Sequence, residues 1–282
     1  MRKILVTGAT GFIGNYVIRE LLKTNSIKIV ATSRNKSKAK QYDWFNKVTY
    51  IPYDLEKPFE QIWDYFHYPD ALIHLAWDGL LDYDNANHTD NYLFQHYRFI
   101  QQIVEEGVKD VSVIGTCLEV GMKEGRLDED ISTNPVTRYG LAKDTLRRLL
   151  ELELKNKKVS YKWIRLFYLY GPGQRKKSLI GQLEKAIKNN SKTFAMSGGE
   201  QLRDYLPVST ASEYIVSIAI QNQVLGVINC CSGMPVSVLQ FVENYLRQVH
   251  KKIKLEIGVY PYPKHEPFAF WGNKTKLNLI LN

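Results

Sequence analysis

Tyr139 and Lys143 stand four residues apart, a spacing that puts both side chains on one face of a helix. A free tyrosine titrates near about 10, and a neighbouring ammonium favours its phenolate. The pair is therefore expected to exchange a proton with a carbonyl oxygen near neutral pH. Thr116 follows the apolar run 111–114 and Gly115, so it carries a hydroxyl at the end of a predicted strand, where it can donate to the same oxygen. Tyr–Lys pairs at this spacing are common on surface helices. This one gains meaning from order, because a glycine-rich turn lies before Thr116 and the pair follows it at plausible separations.

That turn is Gly8-Ala9-Thr10-Gly11-Phe12-Ile13-Gly14. Before it, residues 4–7 form a short β-branched run; after it, residues 12–23 place Ile13, Val17, Ile18, Leu21 and Leu22 at helical spacing. Glycines at such a junction let the backbone approach a pyrophosphate at a helix N-terminus, so the segment is expected to bind a dinucleotide. Lys143 then has a second use, on the nicotinamide ribose. A second strand, 27–32, leads into Ser33-Arg34-Asn35-Lys36, where no carboxylate is available for ribose hydroxyls. Arg34, with Ser33 and Lys36 beside it, is expected to hold a 2′-phosphate, which predicts NADP(H) in preference to NAD.

The elements that must position these groups alternate. Strand-like runs at 48–52, 71–76, 111–114 and 161–167 are separated by helical patterns, the longest at 91–106 and 137–154. Parallel strands need crossover connections, so the alternation predicts an α/β protein with a mostly parallel sheet covered on both faces. Beyond Gly171-Pro172-Gly173 the pattern loosens into a helix at 178–188 and a turn at Ser197-Gly198-Gly199. The expected division is a dinucleotide-binding domain over 1–170, joined by 205–232, and a smaller mixed α/β substrate region over 171–204 and 233–282.

Composition narrows the partners. In 282 residues with a net charge of +9, the basic pairs and triplets Lys157-Lys158, Arg175-Lys176-Lys177 and Lys251-Lys252 are scattered and form no single stripe. Such a field attracts polyanions, but no nucleic-acid motif accompanies it, and anionic small molecules account for it. No apolar run is long enough to span a bilayer, and glycines interrupt the opening apolar stretch too early for a leader. Cys230-Cys231 has neither disulfide nor zinc spacing, so a reducing cytoplasm is expected. His265-Glu266 lacks a second histidine at helical spacing, so no metal is expected.

Together these segments resemble the extended short-chain dehydrogenase/reductases, a family of nucleotide-sugar epimerases, dehydratases and ketoreductases, over nearly the whole chain. The matching stretches run from Val6 to Gly14, through His74-Leu75-Ala76, Thr116 ahead of Glu119-Val120-Gly121, and Tyr139 to Lys143. They continue in Tyr170-Gly171-Pro172-Gly173-Gln174 and Arg203-Asp204-Tyr205. The resemblance implies a Rossmann-type doubly wound sheet. It places Gly8, Thr10, Gly11, Phe12, Ile13 and Gly14 around the cofactor, Asp54 and Leu55 near the adenine, and Leu75 and Ala76 along the cleft. Asn91 is implied in a helix beneath the active site, Arg203 against the nucleotide of the substrate, and Trp77, Tyr168 and Arg175 as further substrate contacts. A homodimer through the helices 91–106 and 137–154 is implied as well.

Family dehydratases carry an acidic pair just after the hydroxyl residue, whereas Cys117-Leu118 stand here, so loss of water is not expected; Cys117 reads as a packing residue. Tyr168 departs from the asparagine common in relatives. The expected reaction is NADPH-dependent reduction of a nucleotide-linked 4-keto-6-deoxy sugar. A nucleotide-sugar 4-epimerase with tightly bound NAD, and a non-catalytic NADP-sensing regulator, are the alternatives.

Overall fold

Short runs of branched apolar residues such as Ile4-Leu5-Val6 and Val111 with Val113 have no solvent-accessible surface, as strands of a sheet covered on both faces require. The computed structural model describes residues 1–57, 60–264 and 266–282. The chain opens with β1 (Arg2–Thr7), α1 (Phe12–Leu21), β2 (Ile27–Ser33), α2 (Lys36–Ala39), β3 (Thr49–Pro52), α3 (Ile62–Tyr65) and β4 (Ala71–His74). A π turn at His88–Tyr92 leads into α4 (Leu93–Glu106), then β5 (Asp110–Thr116), β6 (Gly125–Leu127), α5 (Arg138–Leu154), β7 (Ser160–Leu166) and β8 (Tyr168–Tyr170). The remainder runs α6 (Leu179–Lys188), β9 (Thr193–Ala195), β10 (Leu202–Pro207), α7 (Val208–Ile220) and β11 (Gly226–Cys230). It ends with β12 (Pro235–Ser237), α8 (Val238–Gln248), β13 (Lys254–Glu256), β14 (Phe270–Gly272) and α9 (Thr275–Leu281).

Seven strands make one parallel sheet in the order β3-β2-β1-β4-β5-β7-β11. Val17, Ile18 and Leu21 of α1 join α7 and α9 in the core on one face, while the apolar stripes of α3, α4 and α5 fill the other. This is an α/β, Rossmann-type doubly wound fold. The winding reverses between β1 and β4, which opens a crevice above their carboxyl ends. Three small sheets, β12-β10-β8, β13-β9 and β14-β6, lie outside the main one. A separate apolar cluster of Ile180, Leu183, Phe194, Met196, Phe241, Val242 and Leu246 packs α6 and α8 onto them.

Differences from the expected elements have local causes. The strand expected at 71–76 ends at His74, because the buried Thr7 hydroxyl accepts the backbone N–H groups of Leu75 (3.2 Å) and Ala76 (3.3 Å) and draws the chain out of the ladder. Residues 91–92 belong to the π turn and not to the α-helix. The helix α7 buries Val208, Ala211, Ile215, Val216, Ile218 and Ala219 around much of its circumference, so no amphipathic period marks it. Among the described residues, no helix is long and apolar enough to cross a membrane. His265, weighed above as a metal ligand, lies outside the described residues.

Candidate active site

The glycine turn sits at the carboxyl end of β1, under the crevice. Gly8 has a φ of +67°, and a Cβ there would stand 2.8 Å from the Ala76 nitrogen. A Cβ on Gly14 would stand 2.2 Å from the Gly8 carbonyl oxygen, so α1 and the turn are in backbone contact. No side chain caps α1 at Gly11, which leaves its amino end to an outside acceptor. A dinucleotide pyrophosphate fits this cradle. Gly14→Ala is expected to weaken dinucleotide binding by about 100-fold, since only backbone movement relieves the clash. Affinity by fluorescence titration within threefold of wild type would show that the turn does not hold the cofactor.

Thr116, Tyr139 and Lys143 converge at the carboxyl end of β5. Thr137 caps α5 by accepting the Gly140 N–H at 3.1 Å, which sets Tyr139 and Lys143 in the first turns with their side chains toward the end of β5. The Thr116 hydroxyl faces the Tyr139 phenol. All three residues are buried. Lys143 Nζ donates to the Ile114 carbonyl oxygen at 2.8 Å and lies 3.9 Å above the Trp77 ring.

The electrostatics reverse one expectation. Burial pushes the Tyr139 phenol well above its usual range, reinforced by the Tyr83 phenol, and the Thr116 hydrogen bond opposes this only weakly. Lys143 does not draw the phenol down. Burial instead pulls the Lys143 ammonium down to about 7, so near neutrality much of its charge is gone. Tyr139 in this setting keeps its proton.

Trp77 was expected as a substrate contact, but its partners and several other neighbours of the trio were not anticipated. Trp77 lies between Lys143 and His96, stacked on the latter at 4.4 Å, and donates through Nε1 to His88 Nδ1 at 3.1 Å. His96 meets His74 at 2.8 Å, and His74 meets the Thr7 hydroxyl at 3.0 Å; burial pulls His74 down to about 3, so this chain is neutral. Tyr83 stacks on Tyr139 with ring centres 5.2 Å apart, and its carbonyl oxygen accepts the Tyr139 N–H at 2.8 Å. Nothing in local spacing foretold these contacts. Glu119 did leave a signal, since Thr116-Cys117-Leu118-Glu119 is a capping-box pattern. Its buried carboxylate accepts the Thr116 N–H at 2.7 Å and the Trp163 Nε1–H at 3.0 Å and pairs with Arg165 at 3.3 Å. Thr116 is thereby held rigidly.

A cavity of about 680 Å³ opens over the trio and runs toward α6, α8 and β10. Phe12, Ile13, Leu75, Trp77, Thr116, Tyr139, Lys143, Tyr168, Arg175 and Arg203 line it. Arg203 is nearly spent within the protein: it donates to Glu266 (3.0 and 3.3 Å), the Leu202 carbonyl (2.9 Å) and the Phe268 carbonyl (3.0 Å). Tyr168 meets Tyr205 edge-on, and its ring centre lies 5.8 Å from the Arg203 guanidinium. Arg175 donates to the Leu80 carbonyl and so ties two cavity loops together. Cys117 is buried among Val120, Leu127, Phe167 and Phe270, and burial pushes its thiol up, as suits packing.

Other expected residues are not part of this cavity's lining. Asn91 is exposed and donates to the Asn87 side chain at 2.6 Å, because the π turn rotates it out of the helix face toward the site. Asp54 closes its own turn by accepting the Glu56 N–H at 3.2 Å, and Leu55 packs against the core. Neither lines the cavity. Ser33 is taken up by Thr10 (3.0 Å) and Tyr50 (2.9 Å), and Arg34 by Asp78 (2.6 Å).

The description "NAD dependent epimerase/dehydratase family" matches residues 4–231. The chain belongs to that family. The chain is 30% identical over 275 residues to the dTDP-6-deoxy-L-talose 4-dehydrogenase (NAD(+)) of Aggregatibacter actinomycetemcomitans, an alignment covering 96% of this chain and 99% of the relative. It is 23% identical to the dTDP-4-dehydro-6-deoxyglucose reductase of Escherichia coli, over 88% of this chain and 82% of the relative. Among solved structures, the UDP-glucuronic acid 4-epimerase of Bacillus cereus, in complex with UDP-glucuronic acid and NAD, superimposes with a TM-score of 0.84. That match is 23% identical and covers 99% of this chain and 92% of the epimerase.

These comparisons correct the expected cofactor. The relative that is 30% identical carries NAD(+) in its name, and the superimposed epimerase holds NAD. The expectation of NADP(H) rested on Arg34 and Ser33 being free for a 2′-phosphate, and both are engaged with protein partners. A strand end without a carboxylate is therefore no sign of NADP here.

Proposed function

We propose that this protein is an NAD(H)-dependent oxidoreductase of nucleotide-linked sugars, acting at C4 of a 6-deoxyhexose in the direction of ketone reduction. The observation that carries the reading is the convergence of the Thr116 and Tyr139 hydroxyls with Lys143 on one wall of the cavity, where a sugar carbonyl can meet both hydroxyls. A protonated donor suits a ketone oxygen that must gain a proton. Similarity to a 4-dehydrogenase of a dTDP-linked 6-deoxy sugar over 96% of this chain and 99% of the relative supports the substrate class.

When bound, the dinucleotide exchanges a hydride with the sugar carbon. The residues here that would hold it are the turn Gly8 to Gly14, Leu75 and Lys143. Thr116 donates to the sugar oxygen, polarising the carbonyl, and Tyr139 delivers its proton to that oxygen. Glu119 fixes the Thr116 backbone, so the donor stays aimed. Lys143 anchors α5 to β5 through Ile114. The region 171–204 with 233–282 takes the nucleotide and sugar in this reading, with Arg175 and Tyr168 as contacts. The dimer face is α4 with α5, where Phe94, Leu141 and Leu152 are exposed. Three buried free thiols suit a reducing cytoplasm.

Likeness to an NAD-bound 4-epimerase supports a second reading, in which hydride leaves and returns to the same carbon without net redox change. Incubation with NADH and a panel of dTDP-, UDP- and GDP-linked 4-keto-6-deoxy sugars separates them. Loss of absorbance at the reduced nicotinamide band with one reduced sugar formed is the expected result. Interconversion of 4-hydroxy sugars with no cofactor consumed would establish the epimerase instead.

A further inference from the structure

The end of β2 offers Ser33-Arg34 where an acidic side chain would otherwise face the adenosine ribose. The sheet order places β1 between β2 and β4, so a contact between the segments after β2 and after β4 crosses above the carboxyl end of β1. The Arg34–Asp78 pair is such a contact: Arg34 follows the last residue of β2, Asp78 lies four residues past β4, and their side chains meet at 2.6 Å. Directly beneath lies the glycine turn, against which Ala76 of the same loop presses.

We infer that Asp78 sets the dinucleotide preference of this chain, by neutralising Arg34 and supplying above the phosphate turn the carboxylate that β2 lacks. The inference rests on the NAD reading given above and names the residue responsible for it. Two features support it. Ser33, the other candidate for a 2′-phosphate, already shares its hydroxyl with Thr10 and Tyr50. A second phosphate placed near Arg34 would also meet the Asp78 carboxylate, and like charges at that range repel. The pair is about half exposed on both sides, so it adds little to folding stability, and its removal leaves the fold intact.

The test is equilibrium titration of the full-length protein with NADH and with NADPH, followed by quenching of tryptophan fluorescence, for wild type, Asp78→Asn, and Asp78→Asn combined with Arg34→Ala. Wild type is expected to bind NADH more tightly. Asp78→Asn should move the ratio of the two affinities by about tenfold toward NADPH, as one charge-assisted contact becomes available. The added Arg34→Ala should cancel that gain. A wild type that prefers NADH together with an unchanged ratio in Asp78→Asn would overturn the inference and leave the NAD reading standing. A gain that survives Arg34→Ala would overturn it too, while a wild type that prefers NADPH would overturn the NAD reading itself.

Discussion

Tyr139→Phe is expected to lower kcat by about 1,000-fold and to leave NAD affinity within about threefold of wild type. The ring of Tyr139 packs against Trp77, Tyr83 and His88, and phenylalanine keeps that packing. Only the hydroxyl beside Thr116 is lost, and with it the proton that the sugar oxygen needs. Thr116 remains as a hydrogen-bond donor, so some polarisation persists and activity does not vanish. Single-turnover absorbance measurements with saturating NADH isolate the chemical step from binding. A kcat within tenfold of wild type would remove Tyr139 from proton transfer. Because burial holds the phenol protonated, the wild-type reductive rate should also be flat on the alkaline side of neutrality, where a tyrosine lowered by an ammonium would already be losing its proton.

Lys143→Met is expected to separate stability from function. Burial pulls the folded-state Lys143 from 10.5 down to about 7, so between those values the unfolded chain holds a proton that the folded chain has released. Stability must therefore rise with pH across that window; the destabilisation is complete below about 7 and fades toward 10.5. Methionine has similar length and no charge to desolvate. It gives up the bond to the Ile114 carbonyl and the contact over Trp77, which together are the smaller effect. The variant should melt about 5 °C higher at pH 7, with the difference shrinking as pH rises. Its turnover should drop about 100-fold, since the group that anchors α5 and, in the proposed reading, would hold the cofactor is gone. Thermal melts from pH 6 to 10 check the first part. A variant less stable than wild type at pH 6 would show that Lys143 is charged and well solvated in the fold.

Much of this protein was written locally. The turn from Gly8 to Gly14, the apolar strands at 4–7 and 111–114, and the i, i+4 placement of Tyr139 and Lys143 are short-range patterns, which backbone sterics and helical periodicity translate directly into geometry. The strand–helix alternation similarly dictated a parallel sheet with covered faces. Elements without a period escaped, as with α7, whose burial on many sides erases the contrast between faces.

What only the tertiary structure decided depends on groups distant in the chain. Arg34 read alone is a free cation that asks for a phosphate, but Asp78, 44 residues later, neutralises it once β2 and β4 flank β1. Tyr139 and Lys143 read alone form a phenolate–ammonium pair. Buried together, each moves toward its neutral form, because removal of water costs a charge more than a neighbour four residues away returns. Asn91 is turned outward by a π turn that its own sequence did not announce. Residue type and spacing thus determined which chemical groups the site contains, while charge state and availability were set by burial and by partners that only the folded chain brings near.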